Sequence, residues 1–181
     1  MKLLVYTPSF KGGLHPECEK SVLEQDYLGE WNWVVDTDDP FPPPNHKNVL
    51  AKYQRAKDIV LREGYDALVT VEHDMVLPTN ALRLLVEANK PVVFGVYMLR
   101  HGSRVINVWR YEGDKNLGQS LTLFKKELER ARRAGIVRVS GVAWGCTYIH
   151  RSVLERIAFR DDNGQNPAGD LAFATDCLRS G

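Results

Sequence analysis

A chain of 181 residues suits one domain built around a single core, and 44% hydrophobic with 26% charged residues is an ordinary globular composition. Basic and acidic side chains nearly balance, 24 against 23, for a formal net charge of +1. That balance gives no general electrostatic case for nucleic acid or an anionic membrane as the main partner. The three cysteines, Cys18, Cys146 and Cys177, are odd in number and lack Cys-x-x-Cys spacing. They argue against a disulfide framework or zinc knuckle and fit a reducing cytoplasm. The apolar start, Met1 to Pro8, is too short for a signal peptide, and no stretch reaches the roughly 20 apolar residues of a membrane helix.

Lys2 to Thr7 reads as a first strand, ended by Pro8 and the Gly12-Gly13 pair. His15 to Asp26 predicts a helix with Val22 and Leu23 facing inward, and Trp31 to Val35 a second strand. That strand runs into Asp36-Thr37-Asp38-Asp39 and then Pro40, Pro42, Pro43 and Pro44, which impose an irregular loop. From Lys47 to Glu63 the spacing of Leu50, Tyr53, Ile59, Val60 and Leu61 predicts a helix, stopped by Gly64. Ala67 to Val71, broken only by Thr70, reads as a strand covered on both faces. Asn80 to Ala88 is helical after Pro78-Thr79, and Pro91 to Tyr97 is another buried strand. Such alternation implies an α/β fold with a mostly parallel sheet and right-handed crossovers.

Beyond residue 100 the pattern changes. Val105 to Tyr111 suits an antiparallel strand, and Leu121 to Ala134 a helix carrying several basic residues. Ile136 to Ile149 is strand-like with Gly141 and Gly145 inside it. Ser152 to Ile157 and Gly169 to Arg179 complete the helices. No linker divides the chain, so residues 1–181 read as one domain.

In open α/β sheets ligands sit beyond the carboxyl ends of the strands, where Glu72-His73-Asp74 falls. Strand alternation would send Glu72 and Asp74 to one side and His73 to the other. Two carboxylates on one side make a hard oxygen site for Mg²⁺ or Mn²⁺, with positions left for phosphate oxygens. An ordinary polar strand exit would look the same. Gly141 and Gly145 flank Trp144, and small residues beside an aromatic suit a platform for stacking a sugar; a core indole beside strand glycines is the plainer alternative.

The stretch from Gly64 to Pro78, GYDALVTVEHDMVLP, resembles the DxD region of GT-A-fold glycosyltransferases, especially family 2-like ones. The likeness continues through Asn80-Ala81-Leu82-Arg83-Leu84-Leu85, Lys90 to Tyr97 and Val139 to Leu154. It implies a Rossmann-type αβα sandwich, with residues 1–100 as nucleotide-binding half and 101–181 as acceptor and catalytic half. It further implies a metal-dependent transfer of sugar from a UDP- or GDP-sugar to a glycan or other hydroxyl acceptor. Asp74 matches the final acid of the family motif and would hold Mn²⁺ or Mg²⁺; Glu72 replaces the first acid and would touch the metal or a ribose hydroxyl. Thr7, Pro8 and Asp36 would cradle base and ribose, with Arg55 near phosphate or base. Ala168 to Phe173 resembles the family's "gEDl-f" motif, making Asp170 the general base, although it also stands where a helix N-cap belongs. A sugar-phosphate nucleotidyltransferase and a non-catalytic binding domain are the rival expectations.

Overall fold

A computed structural model describes residues 1–10, 13–42, 45, 47–97, 108, 109, 129, 133, 135–161 and 169–180. The basic helix expected over 121–134 lies almost wholly outside these residues.

The chain opens with β1 (Leu3–Pro8), α1 (Pro16–Leu23), β2 (Trp31–Asp36), α2 (Lys47–Glu63), β3 (Ala67–Val71), α3 (Ala81–Glu87) and β4 (Val92–Phe94). Then come β5 (Val108–Trp109), β6 (Gly141–Val142), β7 (Cys146–His150), α4 (Arg151–Leu154) and α5 (Asp170–Arg179). Local chemistry explains the helix ends. The His15 side chain accepts from the Glu17 amide as N-cap of α1, Pro16 fills the first turn, and Glu17 and Glu19 oppose the helix dipole. Helix α2 buries Asn48, Lys52, Tyr53, Ala56 and Val60, a single stripe at helical spacing. Gly64 follows it with φ +71°, a conformation that glycine takes readily. In α1 the buried stripe is Cys18, Ser21 and Val22, whereas Leu23 is 62% exposed; of the two residues expected to face inward only Val22 does.

Five strands form the main sheet in the order β2-β1-β3-β7-β4. β1 runs parallel to both β2 and β3. β7 is antiparallel to β3 and to β4, pairing Tyr148 with Val69 on one side and Val93 on the other. One core cluster joins Leu4, Tyr6 and Leu68 to Tyr53, Ala56 and Val60 of α2, with Leu154 and Phe173. The opposite face joins Leu3, Val5, Ala67 and Val69 to Cys18, Val22, Leu82 and Leu85. Alternate residues of each central strand therefore feed two cores, and helices cover both faces.

The sheet differs from expectation in its second half. The expected strand over Ile136 to Ile149 is two strands with a turn at Trp144 and Gly145 between them. β6 leaves to pair antiparallel with β5, matching the antiparallel strand expected over Val105 to Tyr111. β4 is shorter than its expected Pro91–Tyr97 and only half-buried. The two sequence halves share one sheet, since β7 of the second half lies between β3 and β4 of the first. No helix among the described residues is long and apolar enough to cross a membrane.

Candidate functional site

Because β1, β2 and β3 run parallel, their exits at Pro8, Asp36 and Val71 lie along one carboxyl edge. Asp36 ends β2 and accepts from three groups. Its Oδ2 takes the Tyr6 hydroxyl and Arg55 Nε, the latter at 2.9 Å, and pairs with the Arg55 charge, Nη2 lying 2.7 Å away. Its Oδ1 takes the Asp38 amide at 2.9 Å. Burial pushes the Asp36 carboxyl up, but the Tyr6 hydroxyl, the Asp38 amide and Arg55 outweigh it and hold the group below its ordinary value. Arg55 also donates to the Asp38 carbonyl at 2.8 Å. Between the β2 exit and α2 lies an open cleft of about 390 Å³, lined by Tyr6, Asp36, Thr37, Arg55 and Ile59 among others.

Thr7 and Pro8 do not present side chains to this edge. Thr7 is fully buried, and its hydroxyl accepts from Trp33 Nε1 at 3.0 Å, which ties β1 to β2. The Thr7 side chain is thus engaged in packing between the two strands. The next residue, Ser9, is the one tied to the edge: its amide donates to the Asp36 carbonyl at 2.8 Å.

Lys52, whose sequence context gives no sign of burial, is 1% exposed. Its ammonium donates to Asp39 Oδ1 at 2.6 Å and to the Ser9 carbonyl, so it fastens the loops leaving β1 and β2 to α2. The half-exposed Phe10 ring lies 5.4 Å from Lys52 Nζ and meets His73 edge-on at 5.7 Å. A lysine amid Ala51, Tyr53 and Gln54 reads as a solvated helix position, and nothing local signals its buried partner.

At Glu72-His73-Asp74 the chain has already left the strand. Strand β3 stops at Val71, and the Met75 amide donates to the Glu72 carbonyl at 3.0 Å, closing a tight turn over residues 72–75. Alternation does not survive a turn. His73 and Asp74 line one cleft of about 610 Å³ with Phe10 and with His15 and Glu17 at the start of α1. Glu72 instead acts electrostatically on Tyr53, in the core on the α2 face. His73, expected on the opposite side from Asp74, thus lines the same cleft as Asp74.

Among the described residues no group of three or more His, Cys, Asp or Glu is arranged to hold a metal ion. Asp74 alone fits the sparse mode in which one carboxylate shares Mg²⁺ or Mn²⁺ with substrate phosphates.

The far end of the chain supplies the third part of the edge. Trp144 is 2% exposed and packs against Tyr53 at 4.3 Å, Phe159 at 5.1 Å and Phe173 at 6.2 Å. An indole enclosed by three aromatic rings is a core residue and offers no face to a sugar. Gly145 is explained likewise: a Cβ there would stand 2.5 Å from the Tyr97 ring, and its amide donates to the Tyr97 hydroxyl at 3.1 Å. The acceptor platform assigned to Trp144 and Gly145 is therefore corrected to a packing corner. The Gly145 carbonyl accepts from the Glu72 amide at 3.0 Å and so fixes the start of the turn.

Asp170 is the first residue of α5, and Gly169 rather than Asp170 is its N-cap, at φ +76°. The Asp170 carboxylate accepts from the Leu171 amide at 2.8 Å. Tyr53 shows what the fold brings together: burial pushes its phenol well above the ordinary value, and Glu72, Tyr97, Asp170 and Tyr6 push in the same direction. Glu72 and Asp170, remote in sequence, thus act on one buried hydroxyl. That hydroxyl and Trp144 Nε1 are buried without a hydrogen-bond partner among the described residues.

Comparison with protein-family models and with curated proteins finds no match. Among solved structures, the crystal structure of A197 from STIV is similar, with a TM-score of 0.58 at 20% identity. The match covers 97% of this chain and 77% of that one. The likeness is one of fold.

Proposed function

We propose that the protein is a metal-dependent glycosyltransferase of GT-A type that moves a sugar from a UDP- or GDP-sugar to a hydroxyl acceptor. The observation that carries this is the gathering of carboxylates from separate elements near the exits of the parallel strands. Asp36 lies in one cleft, Asp74 in the next, and Asp170 and Glu72 act together on Tyr53. Open α/β sheets bind nucleotides along this edge. The motif resemblance from Gly64 to Pro78 supports the same conclusion.

Each residue then has a task. Asp36 accepts from the base. Asp170 takes the acceptor hydroxyl's proton as that oxygen bonds to the anomeric carbon and the bond to the diphosphate breaks. A divalent ion held at Asp74 would offset charge on the departing diphosphate. Lys52 sets the spacing of the two loops that frame the donor.

Calorimetric titration with UDP and GDP, with and without Mn²⁺, tests the proposal. Binding should strengthen with Mn²⁺, and Asp74→Ala should abolish the strengthening while leaving the circular dichroism spectrum intact. Absence of any Mn²⁺-dependent nucleotide binding would sink it. Binding without transfer to any acceptor in a glycan array would instead identify a non-catalytic domain.

A further inference from the structure

The turn that carries His73 and Asp74 is closed by one local bond, from the Met75 amide to the Glu72 carbonyl. One hydrogen bond contributes about as much as ordering a single residue costs, so it cannot by itself fix four. The rest of the constraint comes from α1 and the residues that flank it. The His15 amide donates to the His73 carbonyl at 3.0 Å, and the Cys18 thiol donates to the Glu72 carbonyl at 3.5 Å. The Met75 amide faces the same sulfur. One turn on, Ser21 Oγ donates to the Cys18 carbonyl at 2.8 Å and accepts from the Leu77 amide at 3.0 Å. Gln25 spans the end of the segment. Its Nε2 donates to the Pro78 carbonyl at 2.8 Å, and its Oε1 accepts from the Leu82 amide at 2.9 Å.

His15, Cys18, Ser21 and Gln25 are spaced by three, three and four residues, so they lie along one side of the helix and its flanks. Each contributes a bond to the segment between residues 72 and 82. Cys18 is fully buried and Ser21 nearly so, which shields their bonds from competing water. His73 and Asp74 line one cleft together with His15 and Glu17, from the start of the same helix. Both sides of that cleft are therefore tied to α1, whereas Lys52 fastens the loops leaving β1 and β2 to α2.

We propose that α1 is the positioning element of this cleft, with Cys18, Ser21 and Gln25 holding the turn so that a divalent ion meets Asp74 already in place. The ion itself rests on the glycosyltransferase proposal above. The three side chains act through the turn and not on a ligand. Loss of groups that orient a metal ligand ordinarily costs about 10–100-fold in metal affinity.

The test is calorimetry on the full chain with UDP, with and without Mn²⁺. In Ser21→Ala the Leu77 amide loses its partner in buried surroundings. The strengthening of UDP binding by Mn²⁺ should then fall by about tenfold or more, with binding in the absence of Mn²⁺ unchanged. Gln25→Met, at a half-buried position that tolerates the change, should act in the same direction. Amide hydrogen exchange at Met75 and Leu77 should quicken in both variants. Gly64→Ala is the control: it strains the end of α2, where a Cβ meets nothing within 4 Å, and should keep the full Mn²⁺ effect. An undiminished Mn²⁺ effect in either variant, or an equal loss in Gly64→Ala, overturns the assignment and leaves the glycosyltransferase proposal standing. No Mn²⁺ effect in the wild type overturns both, so the two failures can be told apart.

Discussion

Gly64 and Gly169 form a natural matched pair. Both lie in the left-handed region, at φ +71° and +76°, yet a Cβ at Gly64 meets nothing within 4 Å. At Gly169 it would stand 2.5 Å from Leu50 Cδ2, 2.8 Å from the Arg160 carbonyl oxygen and 3.3 Å from Trp144 Cη2. Leu50 can turn aside, but the Arg160 carbonyl is backbone and can move only with its chain. Alanine in the left-handed region costs about 1–2 kcal/mol at either position. The smaller entropy of the unfolded alanine chain returns about 0.4–1 kcal/mol at both and cancels in the comparison. Crowding adds about 1–3 kcal/mol at Gly169 alone. Gly169→Ala should therefore be less stable than Gly64→Ala by about 1–3 kcal/mol, or about 2–12 °C in Tm at this chain length. Urea unfolding with fitted slopes, backed by calorimetry, measures the difference. Equal stabilities for the two variants would refute the crowding argument. If it holds, the acid that precedes Asp170 in the family motif has no room in this chain.

Three other outcomes are expected. Lys52→Met leaves the Asp39 carboxylate, 9% exposed, without its cation, and should cost about 3–5 kcal/mol by urea unfolding; adding Asp39→Asn should restore a good part of it. Asp36 titrates below its unfolded value of 3.8, so its stabilisation is present above about pH 4 and lost as pH falls through the folded value. Urea midpoints measured from pH 5 to pH 2 should fall less steeply in Asp36→Asn than in the wild type, and parallel curves would exclude the effect. Burial pushes the Cys146 thiol to about 11 and Cys177 to about 12, with Cys18 also raised, so all three are protonated at neutral pH. A thiol-reactive chromophore at pH 7 should modify them slowly and reach all three only in denaturant; a rapid burst would contradict the burial.

Much of the first half was legible because its helices and strands are set by local periodicity. The Lys47–Glu63 helix and the Ala67–Val71 strand have the bounds expected for them, and Gly64 stops the helix as its residue type implies. The direction of β7 was not legible. Cys146-Thr147-Tyr148-Ile149 is buried throughout, so its composition is the same whichever way it runs. The carboxylates followed the same division. Their place at the carboxyl edge could be read from strand order, but their partners could not. The turn after β3 is closed by one local bond and anchored by the Gly145 carbonyl, which lies far along the sequence. Asp36 was legible as a strand exit, whereas its saturation by Tyr6 and Arg55 depends on the packing of α2 against β1. Lys52 carried no signal, since a buried lysine is marked only by its partner, and Asp39 sits on another segment.

The place of β7 also sets the order in which the molecule can be made. β4 is complete at Phe94, yet the only strand it pairs with among the described residues begins at Cys146. During synthesis β3 therefore emerges with one flank unpaired, and it stays so until the chain has travelled out through β5 and β6 and returned. Such distant pairing is slow to close and leaves a strand edge open to wrong partners. A nascent chain halted near residue 100 holds the carboxyl edge of β1, β2 and β3 on an unfinished sheet. Folding is thus committed late, by a segment that contributes little of its own to the clefts it completes.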